Sequence, residues 1–313
     1  MSANPRDLIT LARAYQNLQG VSSVDALLQT LLTAASDAVQ KWCRRDFVST
    51  SYDELYSGNG QRELILRQYP IISVESVRYR PVTVLKITNT DPANVQARAS
   101  VTSAGLKLVR VNAGVKSTDT SVTFAGNATL TAVAAAVNAL GHGWSAQVVG
   151  DSTNYGSWPS ADLYWPPSFP TFGGGTAGQG ALQCVAGSFA ELRMHTYELA
   201  GYQWDSRGWL LRAIPYSDPE LLHPEDLVWP AGINNLRIQY TAGYATIPES
   251  IQEACAEWTA ALYWQCSRDP MLTNQLTTGG AASGWKGTPG QPPDHVMALL
   301  MPYRRCTIAS DQS

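Results

Sequence analysis

Several segments hold residue types that could do chemistry. Gly175–Gly180 has the outer glycine spacing of a phosphate loop, whose backbone amides would cradle a nucleotide. Ala181 and Leu182 stand where that loop needs Lys and Ser/Thr, so Gly173–Gly180 reads as a mobile loop. His223 stands among Glu220, Glu225 and Asp226, a set that could serve acid/base or metal chemistry. No partner cluster exists elsewhere, and a solvated Pro-rich loop explains it better. Trp158, Tyr164, Trp165, Phe169 and Phe172 crowd a Pro-rich stretch and could stack on the apolar faces of sugars. A local mini-core or a protein contact is the stronger reading, because Trp and Tyr are also enriched there. Arg304-Arg305 could touch phosphate, but two cations are too few for affinity. A helix C-terminus or a partner carboxylate suits the pair better. There is no GxSxG, no HExxH and no Cys/His pairing of nucleophile spacing. No catalytic residue, cofactor or metal is expected, and the chain reads as a non-enzyme.

Composition narrows the class. The 313 residues carry 22 Lys/Arg against 25 Asp/Glu, a net charge of −3 that disfavours a basic nucleic-acid binder. Charged residues are only 15%, so much of the surface is neutral, as in a subunit that meets neighbours. The aromatic content excludes disorder as a whole-chain description. No apolar stretch is long enough to span a membrane, and MSANPRDL does not read as a secretory signal. The five cysteines, Cys43, Cys184, Cys255, Cys266 and Cys306, lack CxxC spacing. They read as reduced, mostly buried thiols.

The elements that must position these residues follow from periodicity. Leu8, Leu11, Tyr15 and Leu18 predict a first helix ended by Gly20. Ser22 and Asp25 predict the start of a second, whose stripe runs from Val24 to Trp42 and breaks at Arg44-Arg45-Asp46. Residues 52–56, 62–67 and 71–78 predict a short antiparallel meander, with a break at Tyr69-Pro70. Composition shifts near Pro81. VTVLKIT, ARASVT, LKLVRV, SVTF and WSAQVVG predict strands around one helix, with Asn127 as its cap. Beyond Phe189, ELRMHTYEL, GWLLRAI and NLRIQY predict strands; in the last, Leu236, Ile238 and Tyr240 alternate with outward Arg237 and Gln239. A helix follows to about Arg268, then a Gly/Thr/Pro-rich stretch, 276–292, and a last short helix. The expected architecture is α+β: a helical connector core with a small antiparallel meander (1–80 and 190–313), plus an inserted β-rich domain with one helix (81–189).

Three blocks in order resemble phage head–tail connector, or head completion adaptor, proteins. The first runs from Ala35-Ser36 through Arg45-Asp46-Phe47, Tyr52–Tyr56, Gly58–Gly60 and Leu64/Leu66 to Pro70-Ile71-Ile72-Ser73-Val74. The second is a strand, then Tyr240-Thr241-Ala242-Gly243-Tyr244, then Pro248 and a long helix. The third is Met297–Arg305. The insertion departs from compact members of the family. The resemblance implies a structural virion protein, assembled in the host cytoplasm and located at the head–tail interface. It implies a self-ring, twelve-fold, beneath the portal protein, through which DNA passes without specific binding. A tail, stopper or terminator protein would dock below. It further implies that the C-terminal segment reaches the portal, with Val296, Leu299, Leu300 and Tyr303 as apolar anchors and Arg304 and Arg305 as rim charges. A receptor- or carbohydrate-binding virion protein using the loop 158–172 is the alternative.

Overall fold

The computed structural model describes residues 4–18, 25–150, 155–167, 182–185, 188–213, 228–266, 274–276, 282–284 and 292–305. The glycine run, the His223 group, Phe169, Phe172, Cys306 and most of 276–292 lie outside them.

The helices are α1 (Leu11–Gln16), α2 (Asp25–Cys43), α3 (Leu130–Ala139), α4 (Glu249–Cys266) and α5 (Asp294–Leu300). The strands are β1 (Thr50–Gly58), β2 (Glu63–Ile65), β3 (Ile71–Asn89), β4 (Asn94–Thr102), β5 (Gly105–Asn112), β6 (Val115–Asp119), β7 (Trp144–Val148), β8 (Leu182–Cys184), β9 (Phe189–Glu198), β10 (Tyr202–Trp204), β11 (Trp209–Arg212) and β12 (Gly232–Ala242). A separate ribbon pairs β13 (Asn274–Leu276) with β14 (Ala282–Gly284). Every strand pair is antiparallel.

The chain is mostly β, which corrects the helical connector core expected from its sequence. Three antiparallel sheets carry it: a five-stranded sheet β1-β12-β3-β7 with β9 also on β3, a three-stranded β10-β11-β2, and a four-stranded β6-β5-β4-β8. The physical reason lies in β3. The segments 71–78 and 82–88, each strand-like by β-branched content, join into one 19-residue strand. Arg80 takes a left-handed φ of 61° before Pro81, and pairing to β9 continues across both, from Tyr79↔Tyr197 to Pro81↔His195. β12 pairs with the first half of β3 up to Tyr79, and β7 begins at Leu85. Pro81 thus falls where β3 has a neighbour on only one side, a position that tolerates a missing N–H.

Three apolar clusters fill the fold. One packs α1, α2, α4 and α5 together, with Leu28, Leu32, Val39, Phe47, Ile251 and Trp258 among its members. A second lies between the five- and three-stranded sheets, around Trp229, Leu66, Ile238 and Tyr240. The third is bounded by α3, the four-stranded sheet and the far half of β3, around Val133, Leu108, Leu85 and Leu192.

Local chemistry sets the element ends. Arg44, at φ 56°, stops α2 where the Arg-Arg-Asp break was expected. Thr129, not Asn127, caps α3: its hydroxyl accepts from the Ala132 amide at 3.2 Å. Asn127 instead donates to the Thr123 carbonyl at 2.9 Å. SVTF forms a turn with a single bridge at Thr123, and the strand falls earlier, at β6. Gly243 has φ 118°, and a Cβ there would sit 2.6 Å from the Val48 carbonyl oxygen. That accounts for a glycine within Tyr240–Tyr244.

Candidate functional site

Arg45 organises the end of the helical cluster. It is only 5% exposed and carries an obligate charge, so its surroundings must replace water. Its guanidinium lies 3.8 Å from the Tyr69 ring centroid, 5.1 Å from Phe47 and 5.5 Å from Tyr244. Nη2 donates to the Tyr69 carbonyl at 2.6 Å. Aromatic faces attract a cation through their quadrupole, and a carbonyl dipole does the rest. The break of α2 and the Gly243 turn bring these parts together, with the Tyr244 amide donating to the Phe47 carbonyl at 2.8 Å.

The C-terminal segment closes over this cage. Val296 and Leu300 are fully buried in the helical cluster, and Leu299 and Tyr303 pack against it. Tyr303 meets Phe47 edge-on at 6.2 Å and shares a 2.9 Å hydroxyl bond with Ser250. Arg304 lies 4.6 Å over the Trp42 ring. The Arg305 amide donates to the Cys43 carbonyl at 2.9 Å, and its guanidinium to the Arg67 carbonyl at 3.0 Å. All six residues expected to dock on the portal are thus brought together, but on their own chain. Met301, at 62% exposure, and Arg304 remain on the outside.

The aromatic loop is used in the same way. Trp165 is buried, with its indole N–H on the Arg193 carbonyl at 3.0 Å and its ring 4.9 Å from His195. Trp158 and Tyr164 pack half-buried on the third cluster. These side chains form the local mini-core.

Beside them lies an ionic seam that sequence reasoning missed. Arg78 on β3 and Arg237 on β12 are directly opposite one another, an arrangement that repels unless carboxylates intervene. Two do. Asp53 on β1 accepts a fork from Arg237, at 3.0 Å from Nε and 2.7 Å from Nη2. Asp162, in the 3-10 turn Ser160–Leu163, accepts from Arg78 at 2.5 Å, and its carbonyl accepts from Arg237 at 3.0 Å. Burial pulls the pKa of Arg237 down, but the Asp53 hydrogen bonds and the charges of Asp53 and Asp162 leave it raised. The alternation of β12 marked Arg237 as outward, because outwardness was judged from one strand. The turn 160–163 covers that face from a distance in sequence.

Burial governs three of the described thiols and His195. Burial pushes the thiols of Cys43, Cys184 and Cys255 up to about 11, so they stay protonated near neutrality. Burial lowers His195 to about 4, and its Nε2 lies 3.1 Å from the Asn234 carbonyl. Among the described residues no group of three His, Cys, Asp or Glu is placed to hold a metal ion. None of the described helices is long and apolar enough to cross a membrane.

Comparison with known proteins adds one match over part of the chain. Residues 7–90 match the family model described as head completion protein. No curated protein matches. Among solved structures, the chain is similar to a chain of the "Virion of native gene transfer agent (GTA) particle", at 13% identity and TM-score 0.34, covering 98% of this chain and 95% of that one. It is also similar to a chain of the "Neck of native GTA particle computed with C12 symmetry", at 12% identity and TM-score 0.33, covering 98% and 94%. The family match spans α1, α2, Arg45 with its cage partners Phe47 and Tyr69, and β1–β3, and so includes the first of the three blocks that carry the resemblance. Over residues 7–90, then, the chain is similar to head completion proteins.

Proposed function

We propose that the chain is a head–tail connector that assembles as a ring beneath the portal protein. The ring, twelve-fold by the family resemblance, extends the DNA channel and offers the platform on which a tail or stopper protein docks. The observation that carries this reading is the head completion match over residues 7–90. The packing supports it: the matched segment is tied into the five-stranded sheet through β1 and β3, and to the C-terminal segment through the Arg45 cage. A net charge of −3 suits a channel that passes DNA without gripping it.

The connector core comprises 1–80 and 190–313, and 81–189 is an insertion whose apolar cluster also takes in Ala190, Leu192 and Met194 of the core strand β9. β3 belongs to both and makes the insertion a stiff extension of the core. Portal contact falls to the outer side of the C-terminal segment, at Met301 and Arg304, while Val296, Leu299, Leu300 and Tyr303 hold that segment in place.

Fab fragments against the β10–β11 hairpin, imaged on intact particles, test the placement. Label confined to the head–tail junction is the expected result. Label at tail-fibre tips would replace this reading with the receptor-binding one. The substitution Arg304→Glu is expected to weaken capture by portal rings about tenfold, because a rim charge is reversed.

A further inference from the structure

The outer face of the four-stranded sheet combines cations with apolar surface. Over residues 97–102 and 106–108 β4 and β5 alternate: Ala97, Ala99, Val101, Leu106 and Leu108 face the core, while Arg98 and Lys107 face out. Lys107 is opposite Ser100, one outward step along β4 from Arg98, and Lys116 on β6 is opposite Val111. These cations surround half-buried Val109 and Val111 in a concavity of about 470 Å³, lined among the described residues by no carboxylate. The distribution of charge is uneven along the chain as well. Residues 81–150 hold five Lys/Arg (Lys86, Arg98, Lys107, Arg110, Lys116) and two carboxylates (Asp91, Asp119), or +3. Against −3 overall, that leaves −6 elsewhere.

A complementary surface exists on the same chain. Glu75 and Glu198 are exposed, and both bear on the Tyr202 hydroxyl, whose pKa is raised by burial and then by these two charges. Tyr197, the chain neighbour of Glu198, is 61% exposed, and Trp204, whose ring lies 6.4 Å from that of Tyr202, is 42% exposed. An apolar centre with a charged rim is the composition of a protein interface. Three cations separated by valines are too few and too dispersed for a phosphodiester backbone.

We propose that the face of Arg98, Lys107 and Lys116 docks on the Glu75/Glu198 surface of a neighbouring copy of this chain. The inference rests on the ring reading. Two different patches meeting make a heterologous contact, the type that closes a ring. The insertion then clamps adjacent subunits.

The test compares three full-length chains, each first shown by circular dichroism to keep the wild-type melting profile. They are the wild type, the triple variant Arg98→Glu/Lys107→Glu/Lys116→Glu, and that triple combined with Glu75→Lys/Glu198→Lys. Ring assembly on purified portal is read by native mass, with a duplex DNA gel shift alongside. The triple variant is expected to weaken subunit–subunit association at least tenfold, and the combined variant to restore it. A triple variant that assembles like wild type overturns the clamp and leaves the ring reading standing. A loss that the combined variant does not restore overturns the copy-to-copy assignment. A wild-type DNA shift abolished in the triple variant assigns the face to nucleic acid instead. No ring from the wild type removes the ring reading itself, and the clamp with it.

Discussion

Arg237 and Arg45 are equally buried, at 5% exposure, and the molecule solves the same problem twice by different means. Arg237 is neutralised by carboxylates, Asp53 and Asp162, drawn from β1 and from the turn Ser160–Leu163. Arg45 has aromatic faces and a carbonyl in place of a carboxylate. The difference teaches what each site joins. A carboxylate fork holds two backbones at a defined distance, which suits the seam between the turn 160–163 and the central sheet. An aromatic cage tolerates sliding of its walls, which suits the end where helices, meander and C-terminal segment converge.

The contrast can be broken most sharply at Asp162. Removing it leaves Arg78 and buried Arg237 opposite one another with half their counter-charge. Asp162→Ala is expected to cost about 3–5 kcal/mol in chemical denaturation. A cost below about 1 kcal/mol would mean that the seam carries no structural weight.

Acidity probes the same seam through His195, which sits against Trp165 near Arg237 and Arg78. Unfolded, its ring titrates near 6.5; folded, burial lowers it to about 4. The unfolded chain therefore binds the extra proton between those values, and stability falls as pH drops from 6.5 towards 4. The loss attributable to this group is about 3 kcal/mol at the acid end. His195→Gln should flatten the stability profile across that window, measured by urea denaturation at stepped pH.

Arg45→Met tests the cage. Thioether packing keeps much of the volume but loses the ring–cation attraction and the bond to the Tyr69 carbonyl, an expected cost of about 2 kcal/mol. Limited proteolysis should then cut near residue 305 sooner than in the wild type. Because the Arg237 seam is unaffected, the two sites should combine additively in a double variant. Tyr303→Phe removes one hydroxyl bond to Ser250 and should cost about 1 kcal/mol or less.

These sites also show where the sequence was legible. The Arg45-Asp46-Phe47 block and the Tyr240–Tyr244 turn were readable because their contacts follow from a helix end and a left-handed glycine, both local. The apolar stripe of α4 was readable too, and Ile251, Ala254 and Trp258 are buried as its period requires. The composition shift near Pro81 misled, because one strand, β3, continues through it where a missing N–H is tolerated. Arg237 misled, because burial of a strand face depends on what lies over it, and that cover arrives from residue 162. The predominance of β structure followed from the same long-range pairing, since β3 unites segments that look separate in composition.

The direct test of the account is the native mass of this chain mixed with the portal protein of the same genome. The account predicts a defined complex with near-equal copies of each and a ring visible in negative stain. Intact portal rings that remain bare across a range of salt concentrations would contradict it.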